Sequence, residues 1–486
     1  MKGLKDLLYT VALEAVYGDL QKEVNAIEFD SRAIRSGSAF VALKGVQADG
    51  HAYIDTAITA GASVVVCEDL PENLSDTCTY IQVADCHQAL GVMAANFYDN
   101  PSRKMKVVGV TGTNGKTSVT SMLYQLFTDL GYNAGLLSTV SVSYAGQTFA
   151  ATHTTPDPVQ IQQHFSSMQA QGVTHCFMEV SSHGVAQKRI AGIDFIGGVF
   201  TNLTHDHLDY HKTFSAYSDA KKAFFDQLPK QAFALTNADD KNGAYMLQNC
   251  TAKGYSFAVR TYADYPVQVL EQQFSGMLLK IKGNEVWTSL VGGFNASNLI
   301  AVFAVADLLE METLPTLSAM SQLQSVAGRF QVFEGADARF VVVDYAHTPD
   351  ALTHTLKTIN QIRTQNESLI TVVGCGGDRD QEKRPLMGKI AAHLSDRVIF
   401  TSDNPRSEDP RAILDAIRNG VAPEDYKKTL LIEDRKEAIH AAFQFSQPKD
   451  IVLIAGKGHE TYQEIKGERY PFDDYKIAKQ IFSNTE

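Results

Sequence analysis

The chain has no excess of positive charge, no paired-cysteine motif and no long apolar run, and each absence removes a class of protein. Its 486 residues carry 43 Lys and Arg against 55 Asp and Glu, a formal net charge of −12. A protein whose main task is gripping nucleic acid needs a basic face to neutralise phosphates, so no nucleic-acid partner is expected. A small local anion pocket is still allowed. The six cysteines, Cys67, Cys78, Cys86, Cys176, Cys250 and Cys375, are scattered and form no CxxC pair. That is no disulfide scaffold, and reduced thiols in a cytosolic protein are expected. No uncharged apolar stretch reaches about 18 residues, so no membrane span is implied. The opening Met1-Lys2-Gly3-Leu4-Lys5-Asp6-Leu7-Leu8 is too short in apolar run for a signal peptide, and the expected location is the cytoplasm. Low-complexity segments and repeats of solenoid period are also missing.

What is present is ordinary globular composition, 44% apolar and 20% charged, at a length that suggests about three domains of roughly 150 residues. Residues 40–43 and 63–67 read as buried strands, with an Ala-rich helical pattern over 55–60 between them. The turn Tyr98-Asp99-Asn100-Pro101-Ser102 marks a boundary near residue 100. A strand over 106–110 then runs into a Gly/Thr loop and a helical spacing over 118–130, the opening of a parallel α/β domain. Further buried strands are expected at 176–180 and 198–201. After Gly328-Arg329-Phe330 come four strand-like runs, at 340–344, 369–374, 397–401 and 451–455, separated by helical stretches. That is the layout of an open, doubly wound sheet with ligands at the strands' carboxyl ends. The expected fold is therefore α/β in three domains, 1–100, 101–331 and 332–486, the central one a P-loop-type parallel sheet and the last Rossmann-like.

The sharpest local signal is Val110-Thr111-Gly112-Thr113-Asn114-Gly115-Lys116-Thr117. Small residues let consecutive backbone N–H groups curl around phosphate oxygens, and the following helix adds its positive end. Lys116 would reach the β- and γ-phosphates, and Thr117 would offer a hydroxyl to Mg²⁺. The fit to G-x-x-x-x-G-K-[ST] is imperfect, because the leading glycine, Gly109, stands one residue too early. An ordinary glycine turn with a surface lysine is the plain alternative.

The run Gly112-Thr113-Asn114-Gly115-Lys116-Thr117 resembles the loop of the Mur ligases, and other stretches follow in that family's order. They are Asp30-Ser31-Arg32, Thr154-Thr155-Pro156, Glu179-Val180-Ser181-Ser182-His183 and Asn202-Leu203-Thr204-His205-Asp206-His207-Leu208-Asp209. Ala220-Lys221, Gly293-Phe294-Asn295-Ala296-Ser297-Asn298, Gly328-Arg329-Phe330 and Asp344-Tyr345-Ala346-His347-Thr348-Pro349-Asp350 continue it. The last are Gly376-Gly377-Asp378-Arg379-Asp380, Asp403-Asn404-Pro405-Arg406 and Gly456-Lys457-Gly458-His459-Glu460. They span nearly the whole chain, and the Asp-Asn-Pro-Arg run resembles the version that adds meso-diaminopimelate.

The resemblance implies domains for UDP, ATP and the incoming amino acid, the substrate UDP-N-acetylmuramoyl-L-alanyl-D-glutamate, and an acyl-phosphate route. A carboxylate is a poor electrophile, and phosphorylation by the co-substrate ATP gives it a leaving group. The catalyst then mainly positions anions and offsets their repulsion. By the resemblance, Thr117 and Glu179 would hold one Mg²⁺, and Glu179, His207 and Lys221 would serve a second. An ammonium cannot ligate a cation, so Lys221 requires carbamylation. Lys222 is adjacent, and the spacing from His211 favours Lys221. Against these stand a solvated strand end for Glu179, surface decoration or an adventitious metal for His205, His207 and His211, and one more solvated lysine for Lys221. The plain reading is preferred for His205 and His211. Mg²⁺ also favours oxygen ligands over histidine.

The resemblance further implies Asn295 and Asn298 on the adenine side, and Arg329 and Asp344 near ribose or phosphate, although an Asn is often a helix cap. His347 and Lys116 are candidates for the transferred phosphoryl group. Ser31 matches a uridine-diphosphate contact, and Thr154, Thr155, Ser181, Gln187 and Arg189 match contacts to the muramoyl peptide. His153 stands where related chains often have Asn. For diaminopimelate the matching residues are Arg379, Asp403, Asn404, Pro405, Arg406, Gly456 and Glu460. Recognising a second carboxylate calls for a planar fork of donors, which Arg406 supplies, unless it is only a loop salt bridge. Asn404 would bond the amino-acid head and Glu460 the far ammonium. The expected partners are thus small molecules, and the chain is expected to act as a monomer. The rivals are a lysine-adding ligase, folylpolyglutamate synthase and, in another class, a P-loop nucleotide switch.

Overall fold

Runs of Val and Ile bounded by turn residues become strands here because β-branched side chains pack well on a pleated surface. The computed structural model describes residues 1–45, 48–204, 206 and 208–483, with Leu208 and Asp209 by backbone alone. The chain divides into two units, Met1–Ser256 and Phe257–Glu486.

The first unit opens with a five-stranded sheet of β1 (Ala15–Tyr17), β2 (Ala26–Glu28), β3 (Ser38–Val41), β4 (Ala62–Cys67) and β5 (Thr79–Gln82) in the order β1-β5-β4-β3-β2. Only β1 runs antiparallel to its neighbour. Helix α1 (Cys86–Phe97) is capped by the Asp85 side chain accepting from Gln88 N. It lays Leu90 and Met93 on Val41, Val64 and Ile81.

A larger sheet follows, from β6 (Lys106–Thr111), β7 (Ala134–Leu137), β8 (Ser141–Tyr144), β9 (Gln147–Ala150), β10 (His175–Glu179), β11 (Phe195–Phe200) and β12 (Phe233–Asn237), in the order β9-β8-β7-β10-β6-β11-β12. Strands β7, β10, β6, β11 and β12 are parallel. The hairpin β8–β9 adds an antiparallel edge. Helices α2 (Lys116–Asp129), α3 (Pro158–Ala170), α4 (Ser182–Ala186) and α5 (Phe214–Asp226) belong to this part. With both faces covered, the middle of the central strand is apolar, and Val107, Val108 and Val110 are fully buried. The register sets Glu179 beside Val110 and Phe200 beside Thr111, so three loops leave the sheet at one edge.

The second unit begins with an antiparallel ribbon, β13 (Tyr265–Gln273), β14 (Gly276–Ile281) and β15 (Asn284–Thr288), followed by the long buried helix α6 (Gly293–Leu308). Its main sheet has β16 (Gln331–Glu334), β17 (Phe340–Asp344), β18 (Leu369–Val373), β19 (Arg397–Phe400), β20 (Thr429–Leu431) and β21 (Ile451–Ala455) in the order β16-β17-β21-β18-β19-β20. All neighbours are parallel except β16–β17. Helices α7 (Pro349–Ile362), α8 (Lys383–Leu394) and α9 (Pro410–Arg418) fill one face through Leu352, Leu356, Met387 and Ile413. Helices α10 (Arg435–Phe445) and α11 (Asp474–Ser483) fill the other through Ile439, Ala442, Ala478 and Phe482, with the hairpin β22 (Tyr462–Ile465) and β23 (Glu468–Pro471) before α11. This is the doubly wound sheet expected from the four apolar runs. All six cysteines are free thiols. Among the described residues no helix is long and apolar enough to cross a membrane.

Candidate active site

The loop after β6 explains the displaced glycine. Gly109 lies inside the strand, where a Cβ would stand 2.6 Å from the Phe224 ring, so it serves packing. The loop is shaped instead by Gly112 and Gly115. A Cβ on Gly112 would meet Thr201 Oγ1 at 1.9 Å, and Gly115, at φ +87°, starts α2 without a side-chain cap. Gly115 thus offers the helix's first N–H groups no side-chain acceptor. The β11 loop braces this turn. Thr113 N donates to Asn202 O at 2.8 Å, Asn114 N to Asn202 Oδ1 at 2.9 Å, and Thr201 Oγ1 to Asn114 O at 2.6 Å. Thr113 Oγ1 and Tyr217 OH lie 2.9 Å apart.

Two lysines converge on one carbonyl. Lys116 Nζ donates to Gly112 O at 2.9 Å and to Thr113 O at 2.9 Å. Lys221 Nζ donates to Gly112 O at 2.8 Å from α5, 4.6 Å from the Tyr217 ring centroid. Lys221 is 1% exposed. Burial first, then the nearby Lys116 charge, push its pKa well below the ordinary lysine value, against the opposing pull of Asp206. Lys222 points away, to Asp226 Oδ1 at 2.5 Å and Gln248 O at 2.6 Å. A solvated lysine at 221 is therefore not what the fold builds.

Glu179 is likewise no solvated strand end: it is fully buried and accepts from Thr139 N at 2.7 Å and Thr139 Oγ1 at 3.1 Å. Around it the structure gathers all five residues matched to the muramoyl peptide. Thr139 Oγ1 lies 3.0 Å from Thr154 Oγ1, and Thr155 Oγ1 donates to Glu179 O at 2.9 Å and lies 3.1 Å from Ser181 Oγ. Arg189 Nη1 donates to Thr155 O at 2.7 Å, and its Nη2 to Gln187 Oε1 at 2.6 Å. Burial lowers the Arg189 pKa. His153, next to Thr154, is exposed. Ser31 sits on a short turn capped by Asp30, in the first sheet's part of the unit, and no hydrogen bond joins it to the Thr155 cluster.

His205 and His207 lie outside the described residues. His211 is more than surface decoration: its Nε2 is 3.0 Å from Ser182 Oγ, and its ring packs on His183, Tyr210 and Tyr217. Among the described residues no three His, Cys, Asp or Glu side chains gather as metal ligands. The oxygen donors Thr117 and Glu179 suit a hard cation such as Mg²⁺, whereas Lys221 suits one only as a carbamate.

In the second unit Asn295 Nδ2 donates to Val291 O at 2.8 Å and Asn298 Nδ2 to Asn295 Oδ1 at 3.3 Å, so this pair also ties the start of α6. Asp344 accepts from Phe330 N at 2.6 Å and Thr355 Oγ1 at 3.0 Å, and burial raises its pKa despite these donors and Arg329. The Arg329 guanidinium lies 4.7 Å from the Tyr345 ring centroid, with its Nε buried and without a hydrogen-bond partner among the described residues. His347 packs on the same ring, at 4.4 Å.

The loops after β18, β19 and β21 assemble the last group. Asn404 Nδ2 donates to Glu460 Oε2 at 2.8 Å, and a Cβ on Gly456 would meet Asp403 Oδ2 at 2.7 Å. Pro405 is buried beside Gly377, where a Cβ would come 1.9 Å from Pro405 O. Arg406 adopts φ +51°, a left-handed conformation that costs a non-glycine residue about 1 kcal/mol or more. The hairpin β22–β23 holds it there, through Arg406 N to Glu464 O at 3.1 Å and Lys466 N to Arg406 O at 2.7 Å. Its Nη1 donates to Gly377 O at 2.7 Å, and its Nε is 3.4 Å from Glu464 Oε2. Arg379 is exposed on the loop after β18. Sequence reasoning assigned no part to Tyr217, Asn202, Thr139, Lys457 or Glu464. Asn202 and Lys457 stood inside quoted motifs; nothing local marks the others.

Three family models match consecutive stretches: the Mur ligase family catalytic domain over 23–98, the Mur ligase middle domain over 110–306, and the Mur ligase glutamate ligase domain over 328–458. A protein of Cytophaga hutchinsonii named UDP-N-acetylmuramoyl-L-alanyl-D-glutamate–2,6-diaminopimelate ligase is 51% identical over 479 residues, covering 98% of each chain. One of the same name from Phocaeicola vulgatus is 50% identical, covering 99% of each. A solved structure of a ligase of that name superposes with a TM-score of 0.72 at 31% identity, over 99% of both chains.

Proposed function

This chain belongs to the Mur ligase family, and on that premise we propose that it is the ATP-dependent ligase that joins meso-diaminopimelate to UDP-N-acetylmuramoyl-L-alanyl-D-glutamate. One observation carries the choice of amino acid: Arg406, strained and braced by Gly377 O and Glu464, stands two residues after Asn404, which is bonded to Glu460. A forked cation and an anion on neighbouring loops complement a carboxylate and an ammonium on one carbon, the end that distinguishes meso-diaminopimelate from lysine.

Residues 1–100 then serve UDP, with Ser31 as a contact, 101–331 ATP, and 332–486 the amino acid. The Thr154, Thr155, Ser181, Gln187 and Arg189 cluster orients the muramoyl peptide. Its glutamyl carboxylate attacks the γ-phosphorus, giving an acyl phosphate and ADP. The amine of diaminopimelate then attacks the acyl carbon, and phosphate leaves. On this reading the loop of 112–117, with Lys116, holds the phosphates, Lys116 and His347 are the candidates for the transferred group, Asn295 and Asn298 serve the adenine side, and Arg329 and Asp344 the ribose or phosphate.

Two Mg²⁺ fit the donor chemistry: Thr117 and Glu179 for one, and Glu179, His207 and carbamylated Lys221 for the other. Bound there, they would neutralise phosphate charge as it shifts. A buried lysine with a depressed pKa keeps the neutral amine that adds to carbon dioxide, which supports the carbamate. The reading places the enzyme in the cytoplasm as a monomer.

Phosphate release by purified protein, with ATP, Mg²⁺ and the UDP-muramoyl dipeptide, tests this. Meso-diaminopimelate should support turnover and L-lysine should not. Equal or better use of lysine overturns the assignment.

A further inference from the structure

Strand β21 is followed by Gly456-Lys457-Gly458, and both glycines take left-handed φ, +115° and +52°. A Cβ on Gly458 would come 2.6 Å from Tyr345 Cβ, so the chain is pressed against its neighbours on both sides of the lysine. The turn drives Lys457 inward, where its side chain is 0% exposed. Its Nζ donates to Asn404 Oδ1 at 2.9 Å and to Glu460 Oε2 at 3.0 Å, and lies 5.6 Å from the Tyr462 ring centroid.

These bonds close a triangle with the 2.8 Å bond from Asn404 Nδ2 to Glu460 Oε2. Glu464 N also donates to Asn404 Oδ1, at 2.9 Å. Two donors at Oδ1 decide which way the amide faces, since an amide's O and N are told apart by their partners. Glu460 receives both Asn404 and Lys457 on Oε2, and among the described residues no donor is seen on Oε1, the oxygen a substrate cation would meet.

We propose that Lys457 is a positioning residue that sets the amino-acid specificity of this pocket. It fixes Asn404 and Glu460, and its charge offsets the Glu460 carboxylate. A bare ammonium, as in lysine, then meets a weakened anion beside Arg406. A carbon bearing both ammonium and carboxylate satisfies Glu460 and Arg406 together. Removal of Lys457 makes the pocket more acidic, which penalises the second carboxylate and favours the plain amine. The inference rests on the reading that Asn404, Arg406 and Glu460 hold the incoming amino acid.

Lys457→Met tests it by phosphate release with meso-diaminopimelate and with L-lysine. The KM for meso-diaminopimelate should rise about 10- to 100-fold. The KM values for ATP and the UDP-muramoyl dipeptide should stay within about twofold, and kcat/KM for lysine should hold or rise. A merely structural lysine would lower both amino acids' kcat/KM together and move the ATP value. An isolated buried carboxylate can cost the single variant its fold, so Glu460→Gln and Glu460→Gln/Lys457→Met are measured beside it. With Glu460 neutral, losing Lys457 should change the meso-diaminopimelate KM by less than about threefold. A tenfold change there, or unaltered discrimination in Lys457→Met, overturns the role of Lys457. Wild-type protein that does not turn over meso-diaminopimelate overturns the underlying assignment instead.

Discussion

On the proposed reading, the loop of 112–117 and the pocket around Asn404 would hold charged ligands by opposite means. Residues 112–117 form one contiguous stretch whose backbone would do the binding, with helix α2 starting at Lys116 and the β11 loop as brace. The pocket around Asn404 draws on three loops and a hairpin, and its work falls to side chains that hold one another. A backbone cradle tolerates change in any one side chain. A side-chain network concentrates the effect in each member, so substitutions should cost more in the second region than in the first.

The largest effect is expected at Arg406. Truncating a half-buried, braced guanidinium would leave a substrate carboxylate without its fork. Arg406→Ala should lower kcat/KM for meso-diaminopimelate about 10³- to 10⁴-fold, measured by phosphate release, with nucleotide binding unchanged by calorimetry. A loss of tenfold or less would erase the contrast.

Lys116→Met should cost less, about 10²- to 10³-fold in kcat, the range of one removed electrostatic donor. ADP affinity should fall only several-fold, because the backbone amides still hold the phosphates. Complete loss of nucleotide binding would show that the cradle depends on its side chain after all.

How much could be read beforehand follows the same division. The loop of 112–117 and the strands at 106–110, 340–344, 369–374, 397–401 and 451–455 are local signals, an apolar run or a run of small residues, and they stand where the sequence put them. The cluster at Thr155 was named only through resemblance, since nothing in Thr154, Ser181 or Arg189 alone foretells that they bond to one another. Three hairpins closed by a turn ending in glycine were missed. Their turns, Ala145-Gly146, Lys282-Gly283 and Lys466-Gly467, all have positive φ at both residues, as two-residue hairpin loops require. They lack the usual Asn or Asp before the glycine, so the signal was weak. Lys457 was assigned no part, and a lysine rarely buries. Only the left-handed glycines on either side turn it inward.

The smallest effect concerns stability, at the end of β10 opposite Glu179. His175 begins this strand, 4% exposed, packed on Phe127 and Tyr132, with Nε2 lacking a hydrogen-bond partner among the described residues. Burial, helped by the Lys106 charge, lowers its pKa from 6.5 to about 4. The folded chain therefore keeps this ring neutral where the unfolded chain would protonate it. Its contribution is whole above pH 6.5 and is lost as pH falls towards 4, by about 3 kcal/mol at most. His459 in the second unit is also lowered to about 4 by burial, followed by the Arg329 and His347 charges, so both units should weaken in acid. His175→Phe keeps the ring contacts and removes the titrating nitrogen. Chemical denaturation between pH 7 and pH 4 should show a shallower loss for this variant than for the wild type. Parallel curves would remove His175 from the acid response of the first unit.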